Sequence, residues 1–171
     1  SFDYVKGGGG SGDVTVSYVH NLYDGFQMLH DAVSLYEPLC DFYRANVNEQ
    51  YDQGSVPGMT TEPALSAGLL AGASAYTDTA VIVLSRFSGE GWDRSSIEYN
   101  GEYNPWETET SMPKISGEIF PDGDFYLTKE ESAMIAQVKQ HFSRIAVVLN
   151  IGGIIDTSWI KNDDQIGRAS C

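Results

Sequence analysis

A short apolar run at residues 80–85 (Ala-Val-Ile-Val-Leu-Ser) most constrains the fold, because it is rich in β-branched residues, too short for a helix and followed by a glycine-flanked turn. Such a run is typical of a parallel strand buried within a sheet. It leads into a loop at residues 88–94, in which two glycines flank Glu90. Open α/β sheets place binding loops at the carboxyl ends of their strands, so this loop is the first candidate functional site.

The loop of residues 88–94 combines groups that suit a sugar. Gly89 and Gly91 let the backbone adopt angles that other residues avoid, so the Glu90 carboxyl group can be presented to a ligand without crowding. The loop also has a flat aromatic side chain and a charge pair, supplied by Trp92, Asp93 and Arg94. An ordinary surface turn has similar polar residues, and the loop alone leaves that alternative open.

Helical patterns precede the apolar run and recur later in the chain. Residues 64–76 are rich in small residues and predict a helix, with Leu65, Leu69, Ala73 and Tyr76 on one face. Thr128 and Glu131 have the spacing of a capping box, which predicts the start of another helix. An apolar stripe predicts a further helix over residues 22–36, ended by Pro38.

A second short apolar run occupies residues 144–150 and ends at a turn that contains Gly152 and Gly153. The order helix, strand, loop therefore occurs twice. This order predicts an α/β fold, with a mostly parallel sheet flanked by helices and joined by right-handed crossovers. Both glycine-bearing loops are then expected at the same edge of the sheet.

Two polar stretches interrupt these units. Residues 46–63 are rich in turn residues and predict a connection. Residues 95–121 are long for a connection and interleave aromatic residues such as Trp106 with carboxylates such as Glu107 and Glu109. Aromatic rings stack on the C–H faces of sugars while carboxylates hydrogen-bond to hydroxyls. This inserted loop is either a binding loop or a solvated insertion that packs its own aromatic side chains.

Composition excludes several classes of protein. The formal charge of −14 argues against partners that are nucleic acids or anionic membranes. No apolar run approaches a membrane span, and the first residues lack the pattern of a signal peptide. Two cysteines and three histidines show no metal-ligand spacing, so we expect neither a metal nor a cofactor. We expect one soluble domain over residues 1–171, and its compartment, cytoplasmic or secreted, stays open.

A glycine run at residues 7–12 (Gly-Gly-Gly-Gly-Ser-Gly) stands near the start of the chain. A phosphate-binding loop needs a strand before it and a helix directly after it, and the pattern lacks both. The run is therefore interpreted as a flexible loop lining a pocket, with a flexible engineered linker as the alternative.

Three segments, taken in order, resemble the α/β sandwich domain, flavodoxin-like in architecture, of glycoside hydrolase family 3, which includes β-glucosidases. They are residues 85–94 (Ser-Arg-Phe-Ser-Gly-Glu-Gly-Trp-Asp-Arg), 123–127 (Gly-Asp-Phe-Tyr-Leu) and 147–153 (Val-Val-Leu-Asn-Ile-Gly-Gly). The glycine run with Val14 resembles the glycine-rich segment of that domain. The resemblance covers about residues 7–159 and lacks terminal elements of the domain at both ends.

The resemblance implies a retaining hydrolase acting on β-glucosides or xyloside oligosaccharides. In this family a barrel domain supplies an Asp nucleophile, and the sandwich domain supplies the acid/base residue, which corresponds to Glu90, with Glu107 and Glu109 as second choices. The expected sugar-binding residues are Trp92, Asp93, Arg94 and Trp106, and the loop-shaping residues are Gly89, Gly91, Gly152 and Gly153.

Two further predictions concern the barrel domain and the terminal elements that this resemblance lacks. Without a barrel domain there is no nucleophile, so the isolated chain is predicted to be inactive. An incomplete sheet leaves open edges, which predicts self-association. A stand-alone carbohydrate-binding module and a fragment with no activity are the alternative interpretations.

Overall fold

The computed structural model describes residues 2–7, 9–11, 13–90, 96, 112–161 and 163–167. In chain order these residues form helices α1 (Leu22–Met28), α2 (Glu37–Asp52) and α3 (Ala67–Tyr76), strand β1 (Thr79–Arg86), helices α4 (Met112–Ile119) and α5 (Lys129–His141), strand β2 (Arg144–Ile151), a 3₁₀ turn (Ser158–Ile160) and strand β3 (Ile166–Gly167). None of the helices in these ranges combines the length and the apolar character that crossing a bilayer requires.

The three strands form one parallel sheet in the order β1-β2-β3. β1 and β2 pair along their whole length, from Thr79 opposite Arg144 to Arg86 opposite Ile151. β3 adds a short pairing against the beginning of β2. Because helices α4 and α5 connect the first two strands, the predicted α/β architecture with a parallel sheet is confirmed.

The hydrophobic core lies on one face of the sheet. The strand register places Ile82 opposite Val147 on the same face. This face packs against α3 and α5, and the buried cluster comprises Leu65, Leu70, Ala73, Ile82, Leu84, Met134, Ile135, Val138, Phe142, Ile145 and Ile166. On the opposite face Val81 and Val148 are 43% and 36% exposed. The predicted burial of β1 is therefore confirmed for the face that packs on the helices, whereas the other face is partly exposed and β1 lies at the edge of the described sheet.

The first helical region differs from its prediction. The helix expected over residues 22–36 ends at Met28, and α2 begins at Glu37 with Pro38 in its first turn. Backbone N–H groups in a first turn have no intrahelical acceptor, so a proline there costs no hydrogen bond and starts the helix. α2 then runs to Asp52, into the stretch that was predicted to be a connection.

Side-chain caps begin the helices that lead into the two long strands. Ser66 caps α3, because its Oγ accepts a hydrogen bond from the N–H of Leu69 at 3.2 Å. Thr128 and Glu131 form the predicted capping box at the start of α5, with N–H to oxygen distances of 3.1 and 2.8 Å. The predicted start of α5, the helix that precedes β2, is therefore confirmed.

Helix α4 lies inside the stretch of residues 95–121 that was predicted to be an inserted irregular loop. Its sequence, Met-Pro-Lys-Ile-Ser-Gly-Glu-Ile, has a proline in the first turn, as α2 does. The irregular-loop prediction is therefore wrong for this part of the stretch. Residues 97–111 lie outside the described residues.

Candidate active site

The two glycine-bearing loops meet at the carboxyl edge of the sheet. Ser88, which follows β1, donates a hydrogen bond from Oγ to the carbonyl oxygen of Gly152, which follows β2, at 2.7 Å. A Cβ at Gly152 would lie 2.0 Å from that Oγ, so the contact requires glycine. Gly153 is the next residue of the same turn. This proximity follows from the parallel order of β1 and β2.

The N-terminal segment crosses this edge and is hydrogen-bonded to the end of β2 and to the loop after β1. Asn150, near the end of β2, accepts a hydrogen bond from the Val5 N–H at 2.7 Å and donates one to the Val5 carbonyl at 3.0 Å. Gly9 forms a parallel bridge with Gly89, and its carbonyl accepts a hydrogen bond from the Glu90 N–H at 3.1 Å. Within the glycine run, residues 9–11 are thus hydrogen-bonded to this edge.

Glu90 extends from this edge into solvent. Its side chain is exposed, and it lies beyond the end of β1 on the same side of the sheet as the turn at Gly152. The Oε2 atom accepts hydrogen bonds from the Ser11 backbone N–H at 3.1 Å and from the Ser11 Oγ at 3.0 Å. The carboxyl group is therefore held by the glycine-rich segment rather than buried in the core.

Hydrogen bonding to Ser11 also influences the charge of Glu90. The backbone N–H of Ser11, and to a lesser extent its hydroxyl, lower the pKa of the Glu90 carboxyl below its ordinary value. Both donors stabilise the ionised form. A general acid must carry its proton at the working pH, so this part of the chain by itself presents Glu90 in the form of a base.

Arg86, the last residue of β1, is a structural element of the site that the sequence patterns did not single out. Its side chain is 1% exposed and forms a bidentate ion pair with Glu131, with both N to O distances at 2.7 Å. Its guanidinium carbon lies 4.3 Å from the centre of the Phe120 ring. Further hydrogen bonds reach the carbonyl oxygens of Ser85, Asp124 and Tyr126.

This network joins the end of β1 to the first turn of α5 and to the loop before it, so it supports the loop that carries Glu90. The sequence did contain a signal for it. A charged residue at the end of an apolar strand must find a partner if it is buried, and the acidic residue of a capping box is such a partner.

The remaining predicted site residues lie outside the described residues. They are Gly91, Trp92, Asp93 and Arg94 in the loop after β1, and Trp106, Glu107 and Glu109 in the insertion. Their roles stay predictions.

Two cavities lie away from Glu90. One of about 220 Å³ adjoins the glycine run, where Lys6 and Asp13 form an ion pair at 3.4 Å. The other, of about 580 Å³, follows β1 and is lined mainly by apolar side chains of the helical layer. The described residues that line these two cavities do not include Glu90. Within the same residues no cluster of acidic, histidine or cysteine side chains is arranged to hold a metal.

Sequence comparison finds β-glucosidases. The chain is 50% identical over 165 residues to β-glucosidase A of Butyrivibrio fibrisolvens. It is 29% identical over 164 residues to a β-glucosidase of Ruminococcus albus. These matches cover 96% and 92% of this chain but only 20% and 15% of the two relatives, so the chain spans about a fifth of their length or less. No family model matches the chain.

Solved structures agree with the sequence comparison. β-Glucosidase 3B of Thermotoga neapolitana, solved in complex with glucose, matches 96% of this chain with a TM-score of 0.67 and 25% identity, over 21% of its own length. A β-glucosidase of Paenibacillus barengoltzii matches 94% of this chain with a TM-score of 0.68 and 27% identity, over 15% of its own length. The resemblance predicted from the motifs is therefore confirmed: this chain is similar, over almost its whole length, to one part of the β-glucosidases of glycoside hydrolase family 3.

Proposed function

We propose that this chain is the part of a retaining β-glycosidase that supplies the acid/base residue, Glu90, for the hydrolysis of β-glucosides or related oligosaccharides. Two relatives named as β-glucosidases and a similar structure solved with glucose support this substrate class. Their greater length supports a second, barrel-type domain as the partner that completes the site.

The placement of Glu90 is the observation that carries the proposal. The carboxyl group lies in solvent at the carboxyl edge of a parallel sheet, which is where open α/β folds bind their ligands. The Gly9–Gly89 bridge and the Ser88–Gly152 hydrogen bond fix the two residues that precede Glu90. A carboxyl group buried in the core could not reach a sugar.

The proposed chemistry needs two carboxyl groups about 5 Å apart, one on each side of the scissile bond. Glu90 protonates the departing glycosidic oxygen, and the same side chain then removes a proton from the water that releases the sugar. The nucleophile, an Asp by family resemblance, belongs to the partner domain. The isolated chain is therefore proposed to be inactive.

Docking of the partner domain changes the protonation of Glu90 in the required direction. Excluding water from an exposed carboxyl group disfavours its ionised form, and a second carboxylate nearby adds like-charge repulsion. Both effects raise the pKa of Glu90, against the lowering that Ser11 causes in the described chain. The complete site then holds the proton that general acid catalysis uses.

A chimera tests the proposal. The matching segment of the Butyrivibrio β-glucosidase A, 165 residues at 50% identity, is replaced by this chain. In this enzyme we expect Glu90→Gln to lower kcat/KM for an alkyl β-glucoside by about 10²–10⁴-fold. We expect a much smaller loss of kcat/KM with a dinitrophenyl β-glucoside, because its leaving group departs without a proton and kcat/KM does not include the later step in which water is activated. Equal losses of kcat/KM on both substrates, or unchanged activity, would remove Glu90 from this role.

Glu107→Gln and Glu109→Gln are the matched controls, because both residues are acidic alternatives in the same part of the chain. They are expected to lack the dependence on the leaving group. If one of them shows it and Glu90→Gln does not, the acid/base assignment moves to that residue.

Titration of the isolated chain tests the carbohydrate-binding alternative. Cellobiose or xylo-oligosaccharides are added while tryptophan fluorescence is followed. Saturable binding by the chain alone, together with a chimera insensitive to Glu90→Gln, would favour a binding module over a catalytic part.

A further inference from the structure

The glycine-rich segment approaches Glu90 more closely than side chains allow. Gly10 has a φ of +93°, a conformation that glycine adopts without strain. A Cβ at Gly10 would lie 2.6 Å from the Glu90 Cβ and 2.8 Å from its Oε2. A Cβ on Gly89 would make only ordinary contact, at 3.4 Å, with backbone atoms of Gly9. The absence of a side chain at Gly10 therefore brings the next residue, Ser11, within reach of the Glu90 carboxyl group.

Ser11 binds one oxygen of that carboxyl group with two donors. Its backbone N–H and its Oγ lie 3.1 and 3.0 Å from the Glu90 Oε2. Hydrogen bonds to an ionised acceptor are stronger than those between neutral groups. Two donors from one residue therefore restrict both the rotamer of Glu90 and the orientation of its carboxylate.

The segment that holds Glu90 is itself anchored on both sides. On its N-terminal side, the Gly9 N–H donates to the Ser88 carbonyl at 3.0 Å. On its C-terminal side, the Asp13 N–H donates to the Gly10 carbonyl at 3.0 Å, and Lys6 Nζ donates to the Val14 carbonyl at 2.9 Å. These bonds give the two Ser11 donors a fixed position relative to the end of β1.

We propose that residues 9–11 form a clamp in which Ser11 is a positioning residue that orients the Glu90 carboxyl group at the sheet edge before substrate arrives. The proposal rests on the acid/base role proposed for Glu90 above. A carboxyl group that is already oriented needs no ordering during the reaction, and preorganised geometry of this kind contributes directly to rate.

The first test observes Glu90 in the 171-residue chain itself, without any need for activity. The carboxyl ¹³C resonance of Glu90 is followed across the acidic pH range, and the side-chain couplings report its rotamer. Ser11→Ala removes the hydroxyl donor, so we expect the pKa of Glu90 to rise towards that of an ordinary exposed glutamate and the couplings to average. Ser11→Thr keeps a hydroxyl and is expected to restore the wild-type values. Ser17→Ala, at an exposed serine further along the segment, is the matched control.

Gly10→Ala provides a second, stronger variant. Its Cβ collides with the Glu90 side chain at a backbone conformation that alanine rarely adopts, so both Ser11 donors are displaced together. We expect a larger rise in the pKa of Glu90 than Ser11→Ala gives, with an unchanged circular dichroism spectrum. Wild-type couplings and an unchanged pKa of Glu90 in both Ser11→Ala and Gly10→Ala would overturn the clamp.

Turnover in the chimera separates the clamp from the role of Glu90. With an alkyl β-glucoside we expect Ser11→Ala to lower kcat about tenfold while KM changes little, because the misplaced group acts in the transition state. If Glu90→Gln shows no dependence on the leaving group, the proposed function fails while the resonance measurements still decide the clamp. If Glu90→Gln shows that dependence but neither Ser11→Ala nor Gly10→Ala alters the resonance or kcat, the clamp alone fails.

Discussion

Arg86→Met is expected to destabilise the fold by about 3–5 kcal/mol, the cost of breaking a buried ion pair from one side. The hydrogen bonds described for Arg86 already equal the five N–H donors of a guanidinium. Its partner Glu131 is only 7% exposed. Methionine fills much of the same space but donates nothing, so the Glu131 carboxylate loses its bidentate cation in a place that water reaches poorly.

Thermal and urea denaturation of the isolated chain measure this loss. For a domain of this size 1 kcal/mol corresponds to about 2–4 °C, so we expect Tm to fall by about 6–20 °C. Glu131→Gln is the matched comparison. The glutamine oxygen can still accept the capping hydrogen bond from the Thr128 N–H and one bond from Arg86. Its amide NH₂ then faces the other Arg86 donor, so this variant keeps the cap while it removes the charge and one hydrogen bond of the pair.

A double variant separates two causes of the lost stability: a buried Glu131 carboxylate without its cation, and poorer packing at position 86. Arg86→Met combined with Glu131→Leu removes both charges, and replacing a buried pair by apolar groups is often neutral. We expect it to be more stable than Arg86→Met alone. If Arg86→Met lowers the free energy of unfolding by less than about 1 kcal/mol, as for an exposed ion pair, the reasoning is refuted. If the double variant is no more stable than Arg86→Met, the loss of stability is due to packing and not to the unpaired carboxylate.

Three further predictions follow from other contacts. Burial raises the pKa of Glu62 from 4.5 to about 7, so the folded chain binds this proton more tightly than the unfolded chain. Stability is therefore expected to fall as pH rises through that window, and urea titrations of Glu62→Gln should lack this slope. Asn150→Leu removes both hydrogen bonds to Val5 and is expected to cost about 1–3 kcal/mol, with faster proteolysis of the N-terminal segment. Because no described strand pairs with the outer edge of β1, sedimentation should detect association, and a monomeric mass at every concentration would contradict it.

The elements that the sequence predicted well are those with local causes. The capping box at Thr128 and the two short apolar runs specify a helix start and two strands from residues close together in the chain. The parallel order of the strands then brings the two glycine loops to one edge. Pro38 was predicted to end a helix, but it lies in the first turn of the next helix, α2. A proline is compatible with either position, so the residues next to it in the sequence do not decide between the two.

Contacts between residues that are far apart in the sequence were not predicted. Ser11 and Glu90 are 79 positions apart, and nothing in the glycine run specifies which carboxylate its serine will meet. Arg86 and Glu131 are 45 positions apart, and their pairing depends on how α5 packs against β1. Patterns of a few residues specify elements, whereas these pairs depend on the tertiary arrangement of those elements.

Azide rescue in the chimera tests the role of Glu90 most directly. With Glu90→Ala and a dinitrophenyl β-glucoside, the first step proceeds without an acid, and azide then attacks the glycosyl-enzyme in place of activated water. Since a retaining site forms that intermediate on the opposite face, we expect faster turnover with azide and a glucosyl azide of β configuration. An α-configured azide would make Glu90 the nucleophile, and turnover unaffected by azide with no azide product would contradict any acid/base role for it.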